Sequence, residues 1–203
     1  MKQGSKQLGK AFLGLALGLV WLIPFYLMLT NSFKTKQEIF TNPLKFPEAF
    51  TFENYPEAFR QLDFIRTLAN SLLITVSSVI IIVIFSAMAA YALERIKSKF
   101  STITFMVFVA AMLVPFQSVM IPLVALFGKA QMLNQIGIIF MYLGFGGSMS
   151  IFLYHGAMKS IPRALDEAAI IDGASRWQVF WKVIFPMLKP TTVTVAVLNT
   201  MWI

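Results

Sequence analysis

Hydrophobic and polar positions along this chain are segregated into long blocks. Ala11 to Phe33 reads AFLGLALGLVWLIPFYLMLTNSF without a charged residue, enough helix to cross about 30 Å of hydrocarbon, which takes roughly 20 residues. Further uncharged blocks run from Thr67 to Leu93, from Phe100 to Gly128 and from Gly137 to Met158, and another begins after Pro190 and reaches Ile203. Each predicts a membrane-spanning helix. The third contains Pro115 and Pro122, tolerated as kinks because neighbouring helices and water can satisfy the freed carbonyls. The fourth holds Gly144, Gly146 and Gly147, small residues at which helix backbones can approach closely. The last block is shorter than the hydrocarbon is thick, so the pattern predicts four complete spans and a truncated fifth. The first is longer than a signal-peptide core of about 7–15 residues and ends in Thr30-Asn31-Ser32-Phe33 rather than a small-residue cleavage site. It is expected to be an uncleaved span.

Two polar segments interrupt the blocks. Lys34 to Arg66 carries Pro43, Pro47 and Pro56 with interleaved aromatics. Within it, Asn54-Tyr55-Pro56-Glu57 has the spacing of a capping box, followed by Tyr55, Phe59 and Leu62 on one helical stripe. A short helix at the outer interface is expected there, either as an anchor or as a docking surface for an extracytoplasmic partner. Lys159 to Pro190 reads as two short helices. Pro162 suits a first helical turn and Asp166 and Glu167 lie near its positive end. Gly173 is the expected stop, in the left-handed conformation. Ser175 and Gln178 form a second capping box. Trp177, Phe180, Trp181 and Ile184 then share a face until Pro186 closes the helix. The pattern fits an amphipathic helix on the membrane surface, or a first helix that projects as a protein contact.

Composition fixes the class. Hydrophobic residues make up 58% and charged residues 13%, with a mean hydropathy of +0.73, against about 25% charged in soluble domains. This is an integral membrane protein. Cys is absent and His occurs once, which excludes a disulfide framework, a thiol nucleophile and a His-based metal cluster. The formal net charge is +8, and 11 of the 17 lysines and arginines fall in the segments that a cytoplasmic N-terminus places inside. Topology therefore accounts for the charge without nucleic acid.

The 159–190 segment resembles the EAA loop of binding-protein-dependent ABC importer permeases: EAA, three residues, G, nine residues, I, one residue, L-P. Glu167-Ala168-Ala169, Gly173, Val183, Phe185 and Pro186 occupy those positions, with Val for Ile and Phe for Leu. Asp172 before Gly173 is similar to the sugar-transporting branch. So are Ser32-Phe33-Lys34-Thr35, Glu38-Ile39-Phe40 and Phe52-Glu53-Asn54-Tyr55, which resemble the second, shorter permease of maltose-type importers. The resemblance implies an all-α type I ABC importer transmembrane domain in a bacterial-type inner membrane. It comprises an N-terminal helix and extracytoplasmic loop over 1–66 and a permease core over 67–203, the latter incomplete at its C-terminus because the family usually has six spans. It implies a second permease, two cytoplasmic ATPase subunits and an extracytoplasmic solute-binding protein as partners, and a sugar as cargo. Glu167, Ala168, Ala169, Asp172, Gly173 and Pro186 would belong to the ATPase-coupling loop. No catalytic, cofactor-binding or metal-ligating residue is implied.

The remaining polar residues fit this reading. His155 is expected as a hydrogen-bonded interface histidine rather than a ligand. Asn70, Gln117 and Asn199 are either interhelical glue or sugar contacts. No span carries Asp, Glu, Lys or Arg in its core, which disfavours an ion-coupled secondary transporter. An intramembrane enzyme would need a partner for His155 that the sequence does not offer. The chain has no P-loop, so ATP would be bound by a partner.

Overall fold

The structure, a computed structural model, describes residues 2–203. The side chains of Lys2 and Lys6, counted above among the inner charges, lie outside what it describes. The chain divides into two compact units, Met1–Leu68 and Ala69–Ile203.

In the first unit, α1 (Lys2–Ser32) contains the apolar stretch Gly9–Ser32, long enough to cross a membrane. Thr35 caps α2 (Lys36–Thr41), its hydroxyl accepting from the Glu38 N–H. Lys34, between the two helices, is fully buried. Its ammonium donates to Asn31 Oδ1 at 2.8 Å and to the carbonyls of Asn42 and Pro43 at 2.9 and 3.2 Å. Three donors meet three acceptors, which offsets the cost of burying the charge without a carboxylate. The capping box expected at Asn54 does not form. Helix α3 (Asn54–Gln61) starts without a side-chain cap, because the Asn54 amide donates to the carbonyls of Ser32 and Lys34 at 2.9 and 2.7 Å. These lie at the C-terminal end of α1, where carbonyls lack intrahelical partners. Glu57 turns instead to Gln61 and Arg60, which hold its carboxyl below the usual range. Tyr55, Phe59 and Leu62 remain exposed.

In the rest of the chain, α4 (Phe64–Arg95) and α7 (Gln135–Met158) are long and apolar enough to span a membrane. The expected third span is two helices, α5 (Lys99–Ala111) and α6 (Phe116–Lys129), bent by 101°. Pro115 is the cause. It brings no N–H to the ladder and disfavours the α conformation before it, and it is itself extended, with φ −68° and ψ 138°, whereas Pro122 is carried inside α6. Among the described residues, three helices are thus long and apolar enough to span, or up to five spans if each bent pair counts as one.

The core joins Ile82, Ala87 and Ala90 of α4, Tyr154 and Met158 of α7, and Val195 of α11 (Lys189–Trp202) to residues of the 159–190 segment. Gly146 explains how closely these helices meet. A Cβ there would lie 2.3 Å from Asn199 Oδ1 and 2.8 Å from Ile82 Cδ1, while one at Gly144 would meet nothing within 4 Å. Of the glycines expected to permit close approach, Gly146 does so most sharply. Asn199 donates to Ser150 Oγ at 3.0 Å and to the Val195 carbonyl at 2.8 Å.

Candidate functional site

The 159–190 segment is built around α8 (Ala164–Ile171), an eight-residue helix. It enters through Arg163, whose guanidinium reaches away to α4. Nη2 donates to the carbonyls of Glu94 at 2.7 Å and Arg95 at 3.2 Å, groups that the end of α4 leaves without intrahelical partners. α4 reciprocates. Arg95 Nε donates to Asp166 Oδ1 at 3.2 Å, and Nη2 lies 2.8 Å from Oδ2 and donates to the Ile161 carbonyl at 3.3 Å. The Tyr91 hydroxyl also donates to Asp166 Oδ1, at 2.7 Å. The Asp166 and Arg95 side chains are only 11% and 13% exposed. Two arginines, one from each element, clasp α8 to the end of α4.

Beyond the clasp, α8 faces outward. Glu167 and Ala168 are exposed, Ala169 is half-buried, and Asp172 and Gly173 are exposed. Glu167's side chain makes no hydrogen bond or ion pair among the described residues. The helix ends as the sequence predicts. Gly173 has φ +88°, its N–H bonds the Ile170 carbonyl at 3.0 Å, and the Ala174 N–H bonds the Ala169 carbonyl at 2.9 Å. This is a Schellman motif, for which glycine supplies the left-handed residue. The Ser175–Gln178 capping box forms in both directions, at 3.3 and 2.8 Å.

The second helix departs from the expected stripe. α9 (Arg176–Val179) passes into a π-turn (Phe180–Ile184) and then α10 (Phe185–Met187). The π-turn shifts the register, so the buried face is Val179, Phe180, Ile184 and Leu188, while Trp177 is 59% exposed. Phe180 packs against Tyr91 with ring centroids 5.4 Å apart. This helix is therefore packed into the bundle through that face. Pro186 is exposed in the first turn of α10, and the 76° bend into α11 follows after Met187. Glu167 to Gly173 lie together on one helix and its cap, and Pro186 stands on a separate element.

Arg95, Tyr91 and Arg163 were not singled out by the sequence. The available signal was Tyr91 and Arg95 four apart in the last turns of α4, opposite an acid with no partner inside its own helix. His155 is the interface residue expected of it: Nε2 lies 3.2 Å from Glu94 Oε2 and the ring stacks on Phe105 at 3.9 Å. No group of metal-ligating side chains occurs among the described residues. Asn70 accepts from Gln135 Nε2 at 2.9 Å, and Asn199 is committed between α7 and α11. Gln117 and Asn199 both line a cavity of about 1030 Å³, with Phe116, Phe145, Ser148 and Trp202.

An all-helical membrane domain with a short exposed helix clasped to one end of its bundle is the architecture of a transport permease subunit. The family described as binding-protein-dependent transport system inner membrane component matches residues 82–203, and the chain belongs to that family. It is 56% identical, over 95% of its length and 70% of the relative's, to the probable starch degradation products transport system permease protein AmyC of Thermoanaerobacterium thermosulfurigenes. It is 36% identical to the multiple sugar-binding transport system permease protein MsmG of Streptococcus mutans, over 91% of this chain and 68% of that protein. Among solved structures, a bacterial ABC transporter involved in the import of the acidic polysaccharide alginate matches with a TM-score of 0.81 and 25% identity. That match covers 99% of this chain and 71% of the other.

Proposed function

We propose that this chain is the permease subunit of an ATP-driven importer of a sugar or oligosaccharide, and that α8 is its coupling helix. The observation that carries the reading is α8 itself, a helix closed by Gly173 and clasped to α4 through Asp166, while its neighbour Glu167 stays exposed with no ion pair among the described residues. The names of the relatives, which concern starch products and multiple sugars, support the cargo class. The partners are a second permease, two cytoplasmic ATPase subunits that receive α8, and an extracytoplasmic binding protein. The N-terminus is cytoplasmic, following the bias of lysine and arginine.

Alternating access is largely rigid-body movement of helix bundles, so an ATPase that drives it needs a lever that does not yield. Glu167 offers a charge-assisted contact, and Ala168 and Ala169 allow close seating. Asp172 and Gly173 form the turn that leads into the packed second helix, whose Pro186 lies beside its junction with α11. Gln117, in one cavity wall with Phe116 and Phe145, suits a sugar, with an amide for a hydroxyl and aromatic surface for the ring. The test is Glu167→Lys in the reconstituted complex. Reversing a charge at a seated interface costs about 2–5 kcal/mol, so ATPase docking should weaken more than tenfold at about 1.4 kcal/mol per decade, with membrane levels unchanged. Normal binding-protein-stimulated ATPase activity in this variant would refute the assignment.

A further inference from the structure

A second cavity, about 470 Å³, opens at the same end of the bundle as the 159–190 segment, between the last turn of α4, the first turn of α5 and the end of α7. Lys97 from the α4–α5 turn, Lys99 from the start of α5 and Lys159 from the end of α7 all line it. None of the three is ion-paired among the described residues. The wall holds one carboxylate, Glu94, 3.2 Å from His155 Nε2, and the three lysines outnumber it. The cavity also receives the N-terminal end of α5, a 13-residue helix with no acid in its first turn. Its macrodipole adds positive potential where Lys99 already stands, an unfavourable arrangement unless an anion completes it.

Lysines at the ends of spans commonly reach toward water one by one. Here three separate positions converge on one concavity. From its mouth an exposed apolar stripe runs along α5 through Phe100, Ile103, Met106 and Val107, each more than half exposed. A cationic recess continuous with a greasy track is complementary to an anionic head carrying hydrocarbon tails. Basic recesses between spans at a membrane boundary suit such headgroups. We propose that this cavity binds the phosphate headgroup of an anionic phospholipid, with its acyl chains along the exposed face of α5. The site needs neither the ATPase nor the cargo and stands independently of the coupling role given to α8.

The test uses the full chain in neutral phosphatidylcholine nanodiscs doped with phosphatidylglycerol, with retained lipid counted by native mass spectrometry. Each lysine near an anionic headgroup is worth about fivefold in affinity, and the three together about 100-fold. The Lys97→Gln, Lys99→Gln, Lys159→Gln triple variant should lose one tightly held phosphatidylglycerol, and the matching triple arginine variant should keep it. Should the glutamine triple fail to accumulate, Lys159→Gln alone, expected to bind about fivefold more weakly, is measured in its place. Equal retention by wild type and glutamine variants would overturn the proposal. So would full displacement of the lipid by inorganic phosphate, which would mark a site for a free ion.

Discussion

Replacing Arg95 by Met tests the clasp most directly, because it keeps the length of the side chain and removes its charge. Arg95 makes three contacts with the EAA segment, at 2.8, 3.2 and 3.3 Å, to Asp166 and the Ile161 carbonyl. In the variant, Asp166 keeps only the Tyr91 hydroxyl at 2.7 Å. Breaking one side of a buried ion pair costs about 3–5 kcal/mol, chiefly because the other charge is stranded. Both side chains here retain a little contact with water, so the lower end, about 3 kcal/mol, is expected. At about 1.4 kcal/mol per decade this raises the population of detached α8 roughly 100-fold. The loss should be local. Amide exchange across Leu165–Ile171 should speed up by about that factor, while exchange around Ile82 and Tyr154 in the packed core stays unchanged. Adding Asp166→Leu removes the stranded carboxylate and should recover about half of the loss or more, giving a coupling energy of about 2 kcal/mol in a double-mutant cycle. The reasoning fails if α8 exchange in Arg95→Met stays within twofold of wild type, or if the two substitutions simply add.

Gly146→Ala should destabilise by about 1–3 kcal/mol through overpacking against Asn199 and Ile82, whereas Gly144→Ala should be near neutral; thermal unfolding in detergent compares them. Lys34→Met strands one side-chain and two backbone acceptors and should cost about 1–3 kcal/mol, seen as faster limited proteolysis between residues 42 and 53 with the cleavage pattern beyond residue 69 unaltered. Because the sequence has no cysteine, Lys45→Cys, at an exposed position of the 34–66 segment, should react with an impermeant thiol reagent added outside sealed cells and Gln178→Cys should not; outside labelling at 178 would reverse the proposed orientation.

What could be read from the sequence was whatever local chemistry dictates. A bilayer accepts only long uncharged helices, so α1, α4 and α7 appear as blocks. The C-terminal end of α8 was legible for a similar reason, since Gly173 provides a left-handed residue that needs no distant partner; its start was not, because Pro162, expected in the first turn, precedes the N-cap residue Arg163. The Ser175–Gln178 box formed because both members lie free of other demands. The same spacing at Asn54 failed, because α1 offers that amide two unsatisfied carbonyls some twenty residues away in sequence. Pro115 was read as a kink but breaks its span, since nothing in the local pattern says whether a helix resumes in the same direction. The π-turn at Phe180–Ile184 left no periodic signature at all, and it moved Trp177 off the buried face.

The clasp was invisible for the opposite reason. Asp166 and Glu167 are adjacent acids in the first turn of one helix, and from sequence both favour its positive end equally. Their roles diverge because successive residues on a helix point about 100° apart, which turns one into α4 and leaves the other outside. Arg95 sits 71 residues from Asp166, and only the folded arrangement brings them together. That division of labour suits the coupling role proposed for α8. If Glu167 supplied the internal bond, a partner would have to break it to engage, and the brace would loosen as docking began. With Asp166 holding α4, an external contact at Glu167 can form without disturbing the brace. In the role proposed for α8, force on it would pass through Arg95 and Arg163 into α4, and from α4 to α7 and α11 through the close contact at Gly146 and Asn199. Each step is a short polar contact or a glycine-width packing contact rather than a flexible linker. Under the proposed function, a movement of α8 would therefore be transmitted to the bundle.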